Sequence, residues 1–344
     1  MIDCVDLFCG AGGLTHGLIR AGIRVVAGID LDEDCRFPFE ANNTTRFIAR
    51  DIRAISGQDV RRLFVRGRRS LVAGCAPCQP FSTYSRKSRR VREDAKWVLV
   101  EDFARIVRGA APDFVTMENV PQILDHSVFS RFLRTLAGYH VQWQVIECAE
   151  FGIPQTRKRL VLLASRFGPI EPLSSDAAGH GGKTVRDAIA MLPSIEAGGY
   201  HPTDRLHVAC SLSALNMRRV RASKPGGTWR DWCPSLRAQC HRRKTGETYP
   251  SVYGRMEWDA PAPTITTQCF GFGNGRFGHP EQDRAISLRE AALLQTFPPS
   301  YRFLKDGEVP RFNVLGRLIG NAVPVRLGEL IGRALIKHLR LARA

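Results

Sequence analysis

The first half of the chain is a succession of short apolar runs separated by helix-like stretches, and this rhythm restricts the fold more than any other feature. "IDCVDLF", "IRVVAGID", "RFIARDI", "SLVAG" and "DFVTMENV" each read as a β-strand of a buried sheet. Between them lie segments with helical spacing, such as "LTHGLIRA" and "WVLVEDFARIVRGA", and Gly22 is placed to end the first of these. Strand–helix alternation of this kind predicts an α/β fold with a parallel, doubly wound sheet. "VQWQVIECAEFGIPQTRKRLVLLAS" breaks the rhythm. Its two β-rich runs flank a loop with Gly152 and Pro154, which predicts an antiparallel hairpin at the sheet edge.

Periodicity fades in the second half. "RFGPIEPLSSDAAGHGGK" reads as a linker and "TVRDAIAMLP" as a short helix. Tyr200 to Trp258 is expected to be irregular, basic and interleaved with aromatics, including Trp229, Trp232, Tyr249 and Tyr253. Helical order returns at "SLREAALLQTF" and in the last segment, "VPVRLGELIGRALIKHLRLARA". The formal net charge of +17 favours a polyanionic partner, nucleic acid foremost; the plainer alternative is a generally basic surface. No secretory leader is visible, and no apolar run approaches the roughly 20 residues that span a bilayer, so a cytoplasmic protein without a membrane partner is expected. The ten cysteines are then expected to be reduced thiols.

A strand followed by Phe8-Cys9-Gly10-Ala11-Gly12-Gly13 and then a helix is the arrangement of a nucleotide-type cofactor site, because glycines let the backbone turn sharply against a ligand. Asp30 ends the second run, where a carboxylate can hold ribose hydroxyls. Asp51 ends the third and can accept from an adenine amino group. Capping of the helices that follow is the competing reading of both acids. The absence of G-x-x-x-x-G-K-[ST] removes the anchor for an NTPase, and Thr15 departs from the dinucleotide fingerprint of dehydrogenases.

"GCAPCQPFS" follows the fourth run. A zinc site needs four ligands, and Cys75-x-x-Cys78 has no matching second pair, so no metal is expected. A thioredoxin-like pair normally starts a helix, where Pro80 fits only in the first turn. What remains is one thiol on a rigid loop, with Pro77 and Pro80 restricting the backbone on both sides of Cys78. A buried structural cysteine would explain neither the prolines nor the position at the sheet edge. "DFVTMENVP" places Glu118 and Asn119 at the end of the neighbouring strand. "IPQTRKRL" would put Arg157 and Arg159 on one face of a strand, so that a thiol, a carboxyl group and two guanidinium groups converge.

"DLFCGAGG", "GCAPCQPFS", "ENVP", "QTRKR" and "GNAVPV", in this order and across nearly the whole chain, resemble the motifs of bacterial DNA (cytosine-5) methyltransferases of the restriction–modification type. The resemblance implies an S-adenosylmethionine-dependent, Rossmann-like doubly wound sheet and a smaller, irregular target recognition domain. It places the catalytic domain at 1–185, completed by 306–344, and target recognition with the returning segment at 186–305. It implies that Cys78 attacks C6 of a flipped-out cytosine and that Glu118 binds the base edge. Arg157 and Arg159 would stand near the cytosine carbonyl and the active-site loop. Phe8, Gly10, Gly12, Asp30, Leu31, Asp51, Ile52, Pro77, Asn321 and Val323 would hold S-adenosyl-L-methionine. Leu31 stands where some members have an aromatic residue, Asp30 where Glu is commoner, and Cys75-Ala76 where Gly and Pro are frequent.

Double-stranded DNA is the implied partner, with contacts from Gln79, Ser82 and Asn119 in the motifs. In the variable region Arg218, Arg219, Arg221, Arg242, Arg243 and Lys244 are assigned to phosphates, because clustered positive charge suits them. Arg and Trp in that region can also simply pack a small domain. The resemblance further implies a monomer, associated with the bacterial nucleoid through its substrate, and a restriction endonuclease encoded separately. Two alternatives stand beside this reading: a tRNA cytosine-5 methyltransferase on the same fold, and a non-catalytic DNA-binding relative. The long basic stretch favours DNA over tRNA, and the complete set of Cys78, Glu118, Arg157 and Arg159 speaks against lost chemistry.

Overall fold

The computed structural model describes residues 1–77, 93–175, 182–243 and 246–342, with only the backbone described for 93–96. Contact clustering divides the chain into two compact units. The first comprises Met1–Phe151, Lys158–Gly179 and Val323–Ala344, and the second Gly152–Arg157 and His180–Ala322. The resemblance places the boundaries at 185 and 306. The packing carries the second unit on to Ala322, because a helix at Phe312–Asn321 docks against the one at Leu288–Leu294.

In the first unit the chain runs β1 (Ile2–Leu7), α1 (Gly13–Arg20), β2 (Arg24–Asp30), α2 (Arg36–Asn43), β3 (Arg46–Ala49), α3 (Gly57–Arg61), β4 (Arg69–Gly74), α4 (Glu93–Ala110), β5 (Phe114–Asn119) and α5 (Ser127–Thr135). β6 (His140–Glu147) follows, then β7 (Gln155–Thr156) of the second unit, and then β8 (Lys158–Ser165). The sheet has seven strands in the order β3-β2-β1-β4-β5-β8-β6. β1 to β5 are parallel and β8 runs antiparallel to both its neighbours, so the expected edge hairpin is β6 with β8. All six residues of β1 and of β5 are buried, as strands covered on both faces must be. Val5, Leu7, Val72, Phe103, Val115, Met117 and Leu162 share one core. Four strand ends of the parallel set, after Leu7, Asp30, Gly74 and Asn119, therefore open on the same edge.

The second unit holds α6 (Val185–Ile189), β9 (Tyr200–His201), β10 (Asp204–Val208), α7 (Ala214–Ala222), β11 (Ala262–Pro263), α8 (Leu288–Leu294) and α9 (Phe312–Asn321). Regular structure is sparse, and side chains do much of the joining. Arg255 is buried and donates to four carbonyl oxygens, of Val220, Ser223, His279 and Gln282, and pairs with Asp283. Trp229, Trp232 and Leu236 form a small core of their own. α7 lies inside the stretch expected to be irregular. Its polar sequence "ALNMRRVRA" hides it, but Ser213 caps it by accepting from Asn216 N, and it buries only Arg219 and Val220. From Val323 the chain returns to the first unit as α10 (Val325–Leu341). There α10 lies directly on α1: a Cβ on Gly17 would stand 2.2 Å from Val325 O, so only glycine permits the approach.

Candidate active site

On one side of the open edge, β1 ends at Leu7 and the backbone turns sharply. Phe8, Gly10 and Gly12 all take positive φ, of 58°, 52° and 91°. A phenylalanine held there costs roughly 1 kcal/mol or more of backbone strain, which marks the turn as constrained from outside itself. A Cβ on Gly10 would meet nothing within 4 Å, so the turn borders open space. Gly12 caps α1 without a side-chain hydrogen bond. Asp30, at the end of β2, accepts from Gly10 N at 2.9 Å through Oδ2 and from Asp32 N at 3.0 Å through Oδ1. It thereby ties the glycine turn to the next strand. Beneath the turn Asp6 is buried, accepts from Thr15 Oγ1 at 2.6 Å, and has its carboxyl pushed up to about 7 by that burial.

Other residues expected at the cofactor are spread more widely. Leu31 is 66% exposed beside Asp30, whereas the side chain of Ile52 is buried in the sheet core. Asp51 caps the turn after β3 by accepting from Arg53 N. The Arg53 guanidinium, with that N–H, holds its carboxyl at about 2. Capping, the competing reading of this acid, is thus realised; adenine would share Asp51 with Arg53. Pro77 is exposed, and Val323 is buried at the start of the return segment. Asn321 ends α9 in the second unit.

On the other side of the edge, the register of β4 on β5 pairs Gly74 with Met117, so the residues just beyond, Cys75 and Glu118, come side by side. Cys75 Sγ donates to Glu118 Oε2 at 2.7 Å. Arg159, near the start of β8, brings Nε to 2.9 Å from Glu118 Oε1, an ion pair set off the hydrogen-bond axis. Glu118 itself is only 2% exposed. One step along, Asn119 Nδ2 donates to Ala76 O at 3.2 Å, and Asn119 Oδ1 accepts from Val120 N. Asn119 is therefore buried and occupied in holding the loop that leads to Cys78, rather than presented to DNA. Cys78, Gln79 and Ser82 lie outside the described residues.

Arg157 and Arg159 do not share a strand face. Arg157 falls between β7 and β8, belongs to the second unit, and donates Nη1 to Ile265 O at 3.1 Å. The alternation rule fails because the strand begins only at Lys158. Among the basic residues assigned to phosphates, Arg218, Arg221, Arg242 and Arg243 are exposed, and Lys244 lies outside the described residues. Arg219 is the exception. It is buried, donates to Leu236 O and Asn216 Oδ1, and lies over the rings of Trp232 and Tyr253, so it builds the domain instead of facing a phosphate. The contact that residue spacing did not reveal is that of Cys75 with Glu118. Only the β4–β5 register brings them together.

A parallel sheet with an antiparallel terminal hairpin, a glycine turn after β1 and an acid after β2 define the class of S-adenosylmethionine-dependent methyltransferases. A prophage-encoded Escherichia coli protein of the DNA modification methyltransferase class superposes with a TM-score of 0.76 at 21% identity, covering 99% of this chain and all of its own. Dnmt2 of S. pombe superposes at 0.68 and 17% identity, over 99% of this chain and all of its own. The model of the C-5 cytosine-specific DNA methylases matches residues 2–337, and the chain belongs to that family. The type II methylase M.HgiDII of Herpetosiphon aurantiacus is 50% identical over 340 residues, 97% of this chain and 95% of that one. M1.BsuMI, a type II methyltransferase of Bacillus subtilis, is 31% identical over 351 residues, 96% and 79% of the two chains.

Proposed function

We propose that this DNA cytosine-5 methyltransferase works by covalent catalysis on a flipped-out cytosine, as the modifying member of a type II restriction–modification or phage-defence pair. The observation that carries the mechanism is the buried Glu118 carboxylate, clamped by Arg159 and Cys75 three residues ahead of Cys78. C6 of a stacked, paired cytosine is out of reach of a thiol, so the base must leave the duplex. Cys78 adds as thiolate to C6, and the electron pair of the C5–C6 bond makes C5 nucleophilic. Glu118 holds the N3 and amino edge of the base and supports protonation at N3, so negative charge does not build up on the ring. After transfer, loss of the C5 proton expels the thiolate and restores the ring. Arg159 keeps the Glu118 carboxylate in place throughout.

The edge of the sheet fits the cofactor. The space at Gly10 admits a ligand against the backbone, and the Asp30 carboxylate at the end of β2 is of the chemistry that suits vicinal ribose hydroxyls. Phe8 and Gly12 would hold the methionine end of the cofactor, and Leu31 and Asp51 the adenine end. S-adenosylmethionine bound there supplies an electrophilic methyl group. Asp30→Ala removes the ribose ligand and the tie to Gly10 together. Its Kd for S-adenosylmethionine is expected to rise about tenfold or more, as loss of a charge-assisted hydrogen bond implies. Titration calorimetry checks this, and an unchanged Kd would remove Asp30 from the site.

The reading as a whole is tested with purified protein, unmethylated plasmid and methyl-labelled S-adenosylmethionine, followed by digestion to nucleosides and mass spectrometry. Label in 5-methylcytidine deoxynucleoside alone is the expected result. Label on an exocyclic amine, or only in tRNA supplied in competition, would contradict it. In the same assay Glu118→Gln keeps the size of the side chain but loses the carboxyl chemistry, and kcat is expected to fall about 10²–10³-fold.

A further inference from the structure

The mechanism above uses one thiol, Cys78, yet a second cysteine, Cys75, touches Glu118. We propose that Cys75 is a positioning residue of the catalytic apparatus: its thiol hydrogen bond to Glu118 Oε2 holds the carboxylate in the orientation that receives the base. The inference rests on the assignment of Glu118 to the base edge.

The geometry is specific. Successive rungs between β4 and β5 run Gly74 with Met117 as backbone register, Cys75 with Glu118 through the side chains, and Ala76 with Asn119 through Asn119 Nδ2. The strand pairing is therefore continued by side chains past the point where the backbone ladder stops. Cys75 sits on the middle of these rungs, one residue past the end of β4. On the far side of Glu118, β8 pairs Val161 with Glu118 and Leu160 with Asn119, which brings Arg159 to Oε1. The carboxylate is thus gripped from two strands, one oxygen by each. A single ion pair to Oε1 leaves the carboxyl group free to swing about its last side-chain bond. A donor on Oε2 removes that freedom, and a catalytic group displaced by even 1 Å loses rate steeply.

A thiol also suits the task. It is a weak donor, so Oε2 can turn to the base edge at small cost when the cytosine arrives, whereas a guanidinium would compete for it. Glycine, which is frequent at this position of the family pattern, offers no such donor.

The test compares Cys75→Ala and Cys75→Ser with wild type and Glu118→Gln in steady-state methylation of plasmid DNA, with unfolding midpoints measured alongside. The expected result is a kcat about tenfold lower for Cys75→Ala, with KM for DNA and S-adenosylmethionine within about twofold, and recovery of most of the rate by Cys75→Ser, which keeps a donor. If Cys75→Ala does not fold, Cys75→Val keeps the volume without the donor and carries the same expectation. A wild-type kcat in the donor-less variant, or equal losses in the alanine and serine variants, would overturn the proposal while a crippled Glu118→Gln leaves the Glu118 assignment standing. A wild-type rate for Glu118→Gln would instead sink that assignment, and this proposal with it.

Discussion

Cys78→Ala is expected to lose methyl transfer by about 10⁴-fold or more, the scale on which enzymes fail when their covalent nucleophile is removed. The reason is electronic. Without sulfur on C6, C5 of cytosine lacks the electron density to take a methyl group, and neither Glu118 nor Arg159 can supply it. Cys78→Ser is expected to fail nearly as badly, because a hydroxyl is scarcely ionised near neutral pH. Binding is a separate matter: S-adenosylmethionine should bind the alanine variant with wild-type affinity, since the glycine turn and Asp30 lie on other strands. Single-turnover incorporation of labelled methyl groups, with calorimetric titration of the cofactor as control, measures both. A rate for the alanine variant within tenfold of wild type would end the covalent account.

The second large effect is on stability. Arg284 and Glu290 are both fully buried and joined by two bonds of 2.7 Å. Arg284 Nε also donates to Ile195 O and Gln282 Oε1, and Glu290 accepts from Ser287 N to close the capping box of α8. One pair thereby links a helix start, a loop and the segment after α6 in a unit with little sheet. Arg284→Ala leaves a buried carboxylate without its partner, which costs on the order of 3–5 kcal/mol. For a domain of this size the midpoint should fall by roughly 10 °C or more. Arg302 with Asp306 is the control: this exposed pair, four residues apart in an irregular segment, meets at 3.0 Å, and Arg302→Ala should change stability by less than about 1 kcal/mol. Thermal melts followed by circular dichroism distinguish the two. Equal midpoints for Arg284→Ala and wild type would show that the buried pair does not hold the unit together.

The same contrast explains what could be read from residues alone. The strands of the sheet were legible because strands buried on both faces are written as continuous apolar runs, as in "IDCVDL". The edge hairpin is legible for a different reason: two β-rich runs flank a loop with Gly152 and Pro154, although β6 at the edge buries only Ile146. In the second unit the code is different. Arg219 and Arg255 look like surface charge in a basic stretch, and Arg284 lies beyond it, but all three point inward and spend their donors on carbonyl oxygens and carboxylates. Nothing in the spacing of an arginine announces which way it faces. α7 was missed because its exposed face is polar and its buried face is only Arg219 and Val220. α9 was missed because "FNVLGRLIGN" follows an irregular stretch without a side-chain cap.

The catalytic edge was legible as a set of residues and not as a geometry. The pairing of Glu118 with Cys78 is an expectation drawn from the motifs, and Cys78 lies outside the described residues. That Cys75 touches Glu118 needs the register of β4 on β5, a fact about residues 43 apart in the chain. The split between Arg157 and Arg159 depends likewise on where β8 begins, which alternation cannot fix. In both cases the information lies in long-range pairing, which sequence periodicity does not carry.

The central claim, methyl transfer to cytosine C5 of DNA at a defined sequence, is tested most directly by bisulfite sequencing of a plasmid recovered from cells that lack cytosine methylation of their own and express this protein. The account predicts protected cytosines at every copy of one short sequence and nowhere else, with no protection in cells expressing Cys78→Ala. A plasmid as fully converted with the wild type as with the variant would contradict it.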